Sequence, residues 1–496
     1  MNKNELVCYN TDGSGIEGKA KKVVFPRNVE EVRKIVNNNN NNEGIVIRGS
    51  GSNIVGGCIP NDSVVVDMKK MNKISFENGN VYAEPGTTIK ELNEKLKAVK
   101  SEFPIFSRES TIGGMVAMNS IGFMGGYGNI KDWIDQIEFV NGRGEIIKVG
   151  RADLSDVCGM EGITGIITKV KLNVIPIKER SFSFFQTEDL EEIWPIARRL
   201  KLENEIVMLK FYSKSVSKLL GFPEKYHVIV CFNSNRGAIK GEKYKSILNI
   251  IEKDYLYLHS QGYCYREDPQ LFFDKLKDFV AFLDRLKVPY CGDLDLGIIY
   301  PFFEEDDKKK EEVMKMIKRM NAKPGKYGIG IKRKDLLDRL EKRIIQRIKL
   351  RHDPFGKLNK GNVIDINKTD IKKGKRIEKE IEVSEEIEKN NFDEVIEIRE
   401  KITDYEDTFK SELGDERKEE IEKFVKDITK GIVKKEFVDE KIERVGDVVL
   451  DDNLSRKSGK ISEDDKNLID KIMFNSSREK DKEEKEGSKG DKKNED

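Results

Sequence analysis

The chain has few cysteines and histidines, and their spacing argues against the common metal centres. Six cysteines are spread over 496 residues without a CxxC pair, and none follows Cys291. A zinc ribbon or a cysteine-ligated iron–sulfur cluster needs closely spaced thiolates, so neither fits. The three histidines, His227, His259 and His352, are far apart in the sequence, and each is expected to be structural. Scattered reduced thiols are typical of a cytoplasmic protein, which is what we expect here.

Long apolar runs are lacking as well. No stretch approaches the roughly 18 apolar residues that would cross a bilayer, so we expect no membrane span. The segment from Met1 to Cys8 is polar, unlike the apolar stretch of a secretory signal. Basic residues are not dense enough anywhere to make nucleic acid the expected partner.

Charge divides the chain into a body and a tail. Charged residues make up 36% of the sequence, against roughly a quarter in typical soluble domains. Residues 366–496 contain 31 Lys+Arg and 40 Asp+Glu, so an acidic tail follows a basic body. Its short amphipathic segments indicate helices, but the last 20 residues are nearly all polar. We expect that end to be disordered, because it cannot bury enough apolar surface.

The pattern of apolar residues predicts an α+β fold in several parts. Short β-branched runs alternate with Gly-rich turns and helical stretches in residues 18–178, which form the first α+β domain. Aromatic-rich strands separated by charged helices predict a second, smaller α+β domain at 181–303. Residues 308–365 are mostly helical and are expected to return to the first domain, and 366–496 form the charged tail.

Glycine-rich turns are the strongest chemical signal in the first domain. The apolar strand at residues 45–47 opens into Arg48-Gly49-Ser50-Gly51-Ser52-Asn53, whose small residues let backbone N–H groups approach a diphosphate. The third glycine of GxGxxG would fall at Ile54, and no GK[ST] motif exists, which argues against nicotinamide-binding and triphosphatase proteins. Taken alone, the loop is equally consistent with a flexible surface turn.

Three further motifs follow this loop in the sequence, and together they indicate its function. They are Ser110-Thr111-Ile112-Gly113-Gly114-Met115-Val116-Ala117-Met118-Asn119, Tyr127-Gly128-Asn129 and Met160-Glu161-Gly162-Ile163-Thr164-Gly165-Ile166-Ile167. With this spacing the first domain resembles the FAD-binding domain of the vanillyl-alcohol oxidase and p-cresol methylhydroxylase (PCMH) superfamily. Within that superfamily it looks most like the glycolate oxidase and D-lactate dehydrogenase branch.

The resemblance extends to a closing motif near residue 360, and the first loop also resembles that of one other family. Residues 353–361 look like that branch's DPxGxxNPG sequence, with Lys360 where proline is usual. The loop at 49–53 also resembles that of the UDP-N-acetylmuramate dehydrogenases, which share the FAD fold. The fold expectation is therefore the same for either branch.

The resemblance implies which residues hold FAD. Arg48, Gly49, Ser50, Gly51, Ser52, Asn53, Ile54, Gly56 and Gly57 would hold the pyrophosphate, and Ser110, Thr111, Gly113, Gly114 and Asn119 would line a second turn. Glu161, Gly162, Gly165, Ile166 and Ile167 would lie along the adenosine and flavin, with Asn359 added from the closing motif. Many relatives attach the flavin through a histidine of this domain, but the first histidine here is His227, in the second domain. We therefore expect non-covalent FAD.

The substrate side departs from the family pattern. The branch usually carries GHxGDGNxH and EHGxG segments whose histidines and glutamate can hold a divalent metal. At the corresponding positions this chain has Tyr290, Gly297, Lys326 and Tyr327, so we expect no catalytic metal. In one interpretation Lys326 replaces the metal's positive charge while Tyr290 or Tyr327 assists proton removal. In the other the site has been lost, with Lys326 a solvated turn residue and Tyr290 part of the core.

Two functions remain open at this point. The first is an FAD-dependent oxidoreductase that transfers hydride from a small hydroxy acid-like substrate to FAD. The second is an electron-relay or degenerate subunit without substrate turnover, whose redox partner subunit engages the charged tail. The sequence identifies neither the substrate nor the electron acceptor.

Overall fold

The computed structural model describes residues 6–39, 43–107 and 110–366. The predictions for the charged tail lie outside these residues. Within them, the first part of the chain contains ten strands and three α-helices, besides short 3-10 helices. The strands are β1 (Lys19–Val24), β2 (Ile45–Arg48), β3 (Asn61–Asp67), β4 (Ile74–Glu77), β5 (Asn80–Ala83), β6 (Ser101–Glu102), β7 (Ile134–Asn141), β8 (Ile146–Gly150), β9 (Gly165–Leu172) and β10 (Ile175–Pro176). The helices are α1 (Val29–Asn38), α2 (Ile89–Leu96) and α3 (Ile112–Ala117).

Two sheets organise this part. A parallel three-stranded sheet has the order β1-β3-β2, and an antiparallel five-stranded sheet has the order β4-β5-β9-β7-β8. Asn141-Gly142-Arg143-Gly144 lies between two apolar pairs in the sequence, which predicts a hairpin. The structure confirms it as the β7–β8 turn, where Gly144 has φ +81°. The apolar run from Gly165 to Ile175 predicts one long strand, but it is two strands: β9 ends at Leu172, and β10 pairs with β6. Asn173 lies in the break and donates to the carboxylate of Asp135 at 2.9 Å.

Helix α2 shows local sequence rules at work. Thr88 followed three residues later by Glu91 predicts a capping box at the start of this helix. The structure confirms it, with each side chain accepting the other's backbone N–H. Ile89, Leu92 and Leu96 are buried on one face of the helix. They pack into the core beside the five-stranded sheet.

The second part is built on one large sheet. Its strands are β11 (Ser181–Thr187), β12 (Ile206–Tyr212), β13 (Tyr226–Phe232), β14 (Tyr265–Arg266), β15 (Pro269–Gln270), β16 (Tyr290–Asp293), β17 (Ile298–Phe303) and β18 (Lys323–Pro324). Its helices are α4 (Ile193–Leu200), α5 (Lys214–Leu219), α6 (Gly241–Ser260), α7 (Phe273–Leu286) and α8 (Lys309–Arg319). The main path is β11-β13-β12-β16-β17-β15-β18, with β14 paired to β17. Apolar clusters cover both faces, which explains the aromatic-rich strands.

The chain then returns to the first part through α9 (Arg339–His352) and the closing motif. The buried carboxylate of Asp353 accepts hydrogen bonds from Lys349 Nζ at 2.5 Å and from the backbone N–H of Leu358 at 2.7 Å. Asn359 then donates its backbone N–H to the carbonyl of Ile45 in β2 at 2.6 Å. The closing motif therefore lies against the strand that leads into the first glycine-rich loop.

Candidate cofactor and substrate site

A cavity of about 720 Å³ lies between the glycine-rich turns and the second part of the chain. This volume is typical of ligand pockets, which measure roughly 300–1,000 Å³. Most of the residues proposed from the sequence form its wall. They are Gly49, Ser50, Gly51, Ser52, Asn53, Ile54, Gly57, Ser110, Thr111, Gly113, Gly114, Glu161, Gly162, Gly165, Ile167, Lys326 and Tyr327.

The first glycine-rich loop is held in shape by Asn53. Its side-chain oxygen accepts the backbone N–H groups of Val55 at 2.9 Å and Gly57 at 2.7 Å. Gly51 and Gly56 have φ angles of +74° and +83°, which residues with a Cβ rarely adopt. The loop is thus a tight turn of small residues that lines the cavity.

The second turn touches the first. Thr111 is the N-cap of α3, where its hydroxyl accepts the N–H of Gly114 at 3.2 Å. A Cβ on Gly49 would lie 2.4 Å from that same hydroxyl, and one on Gly113 would lie 2.5 Å from Pro85 Cβ. Glycine is therefore required for the two turns to pack, and together they leave a cradle of main-chain groups that fits a diphosphate.

Five of the proposed cofactor residues are not in the cavity wall: Arg48, Gly56, Asn119, Ile166 and Asn359. Arg48 donates instead to the carbonyl of Thr11 at 2.8 Å, and Ile166 is fully buried in a core cluster. The Asn359 amide donates to the carbonyls of Gly57 at 3.0 Å and Glu161 at 2.6 Å. Asn359 therefore links the first glycine-rich loop to the turn that contains Glu161, and it does so from outside the cavity wall.

Glu161 is in the wall, but its carboxylate is directed at the protein. It accepts the backbone N–H groups of Ile329 at 2.6 Å and Gly330 at 2.9 Å. Burial raises the pKa of this carboxyl to about 7, against the lowering effect of the two hydrogen bonds and of Arg333. Glu161 thus fastens the segment that carries Lys326 and Tyr327 to the cofactor turns.

Lys326 lies in the cavity wall and belongs to a buried ionic network. Its ammonium donates to Asp293 at 2.7 Å, and Lys210 lies 3.3 Å from both Asp293 and Asp254. Burial alone would raise the pKa of Asp293, but the two lysines hold it well below the usual range. The two lysines and two aspartates balance in charge, and Lys326 is not a solvated turn residue.

Sequence reasoning missed Arg266, which also lines the cavity. Its guanidinium carbon lies 3.5 Å from the ring centroid of Tyr255 and 4.4 Å from that of Tyr327. Its Nε is buried without a hydrogen-bond partner in the described part of the chain. Arg266 therefore adds a positive charge that the lysine–aspartate network does not neutralise. Its aromatic neighbours Tyr263 and Tyr265 were the only sequence signal.

The structure does not bring Tyr290 to this cavity. Its hydroxyl donates to Asp284 at 2.9 Å inside an apolar cluster, and the side chain is fully buried. Tyr290 and Asp293 are three residues apart in one strand, so their side chains point to opposite faces of the sheet. Tyr290 thus lies on the face away from Lys326, as its core-packing interpretation requires.

Tyr327, in contrast, lines the cavity beside Arg266. Its backbone N–H donates to Asp268 at 2.9 Å. Burial raises the pKa of the Tyr327 phenol above its usual value, although Arg266 opposes the shift. The phenol is therefore protonated at neutral pH.

The groups that could attach a flavin covalently are poorly disposed to react. Cys58 lines the cavity, but burial raises the pKa of its thiol to about 12, so the nucleophilic thiolate is scarce. None of the three histidines is in the cavity wall. His227 and His352 are bound elsewhere, to Ser217 and Asp156 respectively.

Comparisons with known proteins agree with this geometry. Residues 20–150 match the family described as "FAD binding domain". The chain is 32% identical over 178 residues to the glycolate oxidase subunit GlcD of Bacillus subtilis (strain 168), covering 32% of this chain and 37% of that protein. It is 33% identical over 175 residues to the mitochondrial D-lactate dehydrogenase [cytochrome] of Arabidopsis thaliana, covering 32% of this chain and 31% of the relative. The matched segments thus span about a third of these relatives.

Two further comparisons concern the fold. The UDP-N-acetylenolpyruvoylglucosamine reductase of Clostridium novyi (strain NT) is 32% identical over 160 residues, 31% of this chain and 50% of the reductase. A solved alkyldihydroxyacetonephosphate synthase superposes with a TM-score of 0.51 at 17% identity, covering 68% of this chain and 75% of the other. Among the described residues, no helix has the length and apolarity to cross a membrane. Together with the glycine-rich cavity, these matches identify an FAD-binding domain in residues 20–150, in a segment that resembles glycolate oxidase and D-lactate dehydrogenase proteins.

Proposed function

We propose that the protein binds FAD non-covalently and oxidises a small anionic hydroxy acid without a catalytic metal. The observation that carries this proposal is one cavity in which the glycine-rich turns face Lys326, Tyr327 and Arg266. FAD, when bound, supplies the hydride acceptor, as cofactors do in such enzymes. The relatives named for glycolate and D-lactate support a small hydroxy acid as the substrate class.

The first and second turns would hold the cofactor's pyrophosphate. Their glycines and serines leave backbone N–H groups free of bulky side chains, which suits an anion. Ile167 and Gly165 offer apolar and main-chain contact further along the same wall. Asn359 and Glu161 would not contact the cofactor through their side chains. Their hydrogen bonds would hold the glycine-rich turns and the 326–330 segment in fixed positions.

The substrate end would recognise a carboxylate and a hydroxyl. Arg266 supplies the uncompensated charge for the carboxylate, and its planar fork suits a two-point contact. Lys326 uses one N–H for Asp293 and has two more to direct at a substrate oxygen. Tyr327, as a protonated phenol, would accept the hydroxyl proton while passing its own proton to water in the cavity, as hydride leaves the carbon that bears the hydroxyl for FAD.

No metal is needed in this scheme, because fixed cations polarise the substrate. Across residues 6–39, 43–107 and 110–366, no three His, Cys, Asp or Glu side chains come together as metal ligands. Addition of a chelator should therefore leave the rate of flavin reduction unchanged. A rate that falls with the chelator and recovers with added divalent cation would contradict the metal-free mechanism.

Anaerobic mixing of the purified protein with a panel of 2-hydroxy acids tests the activity. Bleaching of the flavin absorbance by one of them is expected, and Lys326→Ala should abolish it. Lys318→Ala is the matched control, because Lys318 is an exposed lysine paired with Asp335. Protein that binds FAD but is bleached by none of the acids would favour the electron-relay alternative.

The mode of attachment has its own test. Acid or heat denaturation should release all yellow chromophore into the supernatant. Colour that stays with the precipitated chain would show a covalent bond and would overturn that part of the proposal.

A further inference from the structure

A second, smaller cavity adjoins the first. It measures about 20 Å³, and the two cavities share Ile54, Tyr255 and Arg266 in their walls. A space of this size holds one water-sized group. Of the described residues that the resemblance assigns to FAD, only Ile54 lines this second cavity.

Basic side chains dominate this second wall: Arg266, Lys310, Lys332 and Arg333. Arg333 pairs with two carboxylates, those of Asp268 and of Glu267, the latter at 2.8 Å. Arg266, Lys310 and Lys332 form no ion pair with any described residue. The four cations thus share two carboxylates, which leaves two positive charges around this small cavity without a counter-charge.

The two lysines are held close to one another by a shared aromatic ring. The ammonium of Lys310 lies 4.3 Å from the ring centroid of Tyr265, and that of Lys332 lies 5.7 Å from the same centroid. Lys332 is fixed further by donating to the carbonyl of Ser14 at 2.7 Å. Burial lowers the pKa of Lys332, and the charge of Lys310 adds to this effect, whereas Glu267 and Asp12 oppose it from beyond ion-pair distance.

We propose that Arg266, Lys310 and Lys332 form a second anion-binding site, which takes an oxyanion such as phosphate or a carboxylate. Arg266 and Lys310 are partly buried, and partly buried cations are costly without a counter-ion, which a bound oxyanion would supply. The unpartnered Nε of Arg266 is an independent sign of a missing acceptor. The enclosed volume accommodates one oxygen, and the rest of the anion would lie towards the exposed side chain of Lys332.

The shared arginine links this site to the main cavity. An anion bound beside Arg266 would lower its attraction for a second anion on the other side, since like charges around one cation repel. The anion is either free in solution or the distal group of a substrate whose hydroxyl end occupies the main cavity. This link rests on the proposed function, whereas anion binding itself does not.

Calorimetric titration of the FAD-loaded protein with inorganic phosphate, in a zwitterionic buffer, tests the binding. Saturable binding is expected, and Lys310→Gln/Lys332→Gln should weaken it at least about tenfold, through the loss of charge-assisted hydrogen bonds. Lys318→Gln is the matched control on the same helix and should bind as the original protein does. No saturable binding, or equal affinity in the double variant, would overturn the proposal; circular dichroism verifies that the variant is folded.

Flavin reduction separates the two sources of the anion. If the site takes the substrate's distal group, the double variant should raise KM for a 2-hydroxy acid with a terminal phosphate and leave the unphosphorylated acid unaffected. If it takes a free anion, both acids should give unchanged KM values while calorimetry still detects phosphate. If no acid reduces the flavin, the proposed function fails, but the calorimetric result still decides the anion site.

Discussion

The carboxylate of Glu161 accepts the backbone N–H of Ile329 at 2.6 Å across 168 residues of sequence. The N–H of Gly330 is accepted by the second carboxylate oxygen. One side chain of a cofactor turn therefore sets the position of the segment that carries Lys326 and Tyr327. A Cβ on Gly328 would come within 2.6 Å of the same carboxylate, so that segment approaches as closely as glycine allows.

Glu161→Gln should loosen this segment. An amide keeps one acceptor oxygen but directs N–H groups at the second backbone donor, which costs about 1–3 kcal/mol. Hydrogen exchange at the amides of Ile329 and Gly330 should become faster, and Lys326-dependent flavin reduction should slow. Glu94→Gln, an exposed change on α2, is the control. Unchanged protection of both amides would show that the carboxylate does not hold the segment.

Exchange at those two amides should also depend on pH. Burial raises the pKa of Glu161 to about 7, so its carboxyl binds a proton between pH 8 and 6 that it would release if the segment opened and the carboxyl became solvated. Opening therefore costs more at the lower pH, and protection, corrected for intrinsic exchange rates, should increase on acidification in the original protein. In Glu161→Gln it should not change over this range.

Gly113→Ala should weaken FAD binding and destabilise the fold. The new methyl would lie 2.5 Å from Pro85 Cβ and 3.1 Å from the Pro85 carbonyl oxygen, so backbone must shift. Overpacking of this kind costs about 1–3 kcal/mol. Thermal denaturation and flavin fluorescence titration measure the two effects. Gly150→Ala, which meets nothing within 4 Å, should change neither.

Asp295→Asn should stabilise the protein at alkaline pH. Both carboxylate oxygens are buried without a hydrogen-bond partner in the described residues, and burial, with Asp293 beside it, raises the pKa to about 7. The folded state thus binds a proton that the unfolded state releases near pH 4, so the ionised carboxylate costs stability progressively as the pH rises towards 7. The variant should gain on the order of 2 kcal/mol at pH 8 and little at pH 4. Urea denaturation at both pH values measures this, and a larger gain at pH 4 would refute it.

Lys349→Met should be strongly destabilising. Lys349 is buried and donates to Asp353 at 2.5 Å, to the carbonyl of Ile163 at 2.8 Å and to that of Leu358 at 2.7 Å. Its removal leaves a buried carboxylate uncompensated, which typically costs about 3–5 kcal/mol. Lys342→Met, at an exposed position on the same helix, should cost much less. Equal denaturation midpoints for the two variants would exclude this role.

Local rules made several elements readable from the sequence. Thr88 and Glu91 specify a helix start through hydrogen bonds only three residues apart, and the 141–144 turn depends on Gly144 alone for its positive φ. The glycine-rich turns were readable for the same reason, since their small residues are needed wherever main chain approaches a ligand or another turn. These features depend on neighbours in the sequence, so their spacing carries the information.

Contacts between distant residues were decided only by the tertiary structure. Tyr290 and Lys326 stood as equal candidates in the sequence, but strand alternation and the position of β16 put Tyr290 on the far face of the sheet. The sequence did not indicate Arg266 as a site residue. Its lack of a carboxylate partner follows only from the fold, in which Asp293 and Asp254 are paired with lysines. The sequence by itself thus determined the glycine-rich turns, which depend on local main-chain conformation. The arrangement of Lys326, Tyr327 and Arg266 around the cavity was settled by folding, because charge balance and side-chain direction depend on which strands become neighbours.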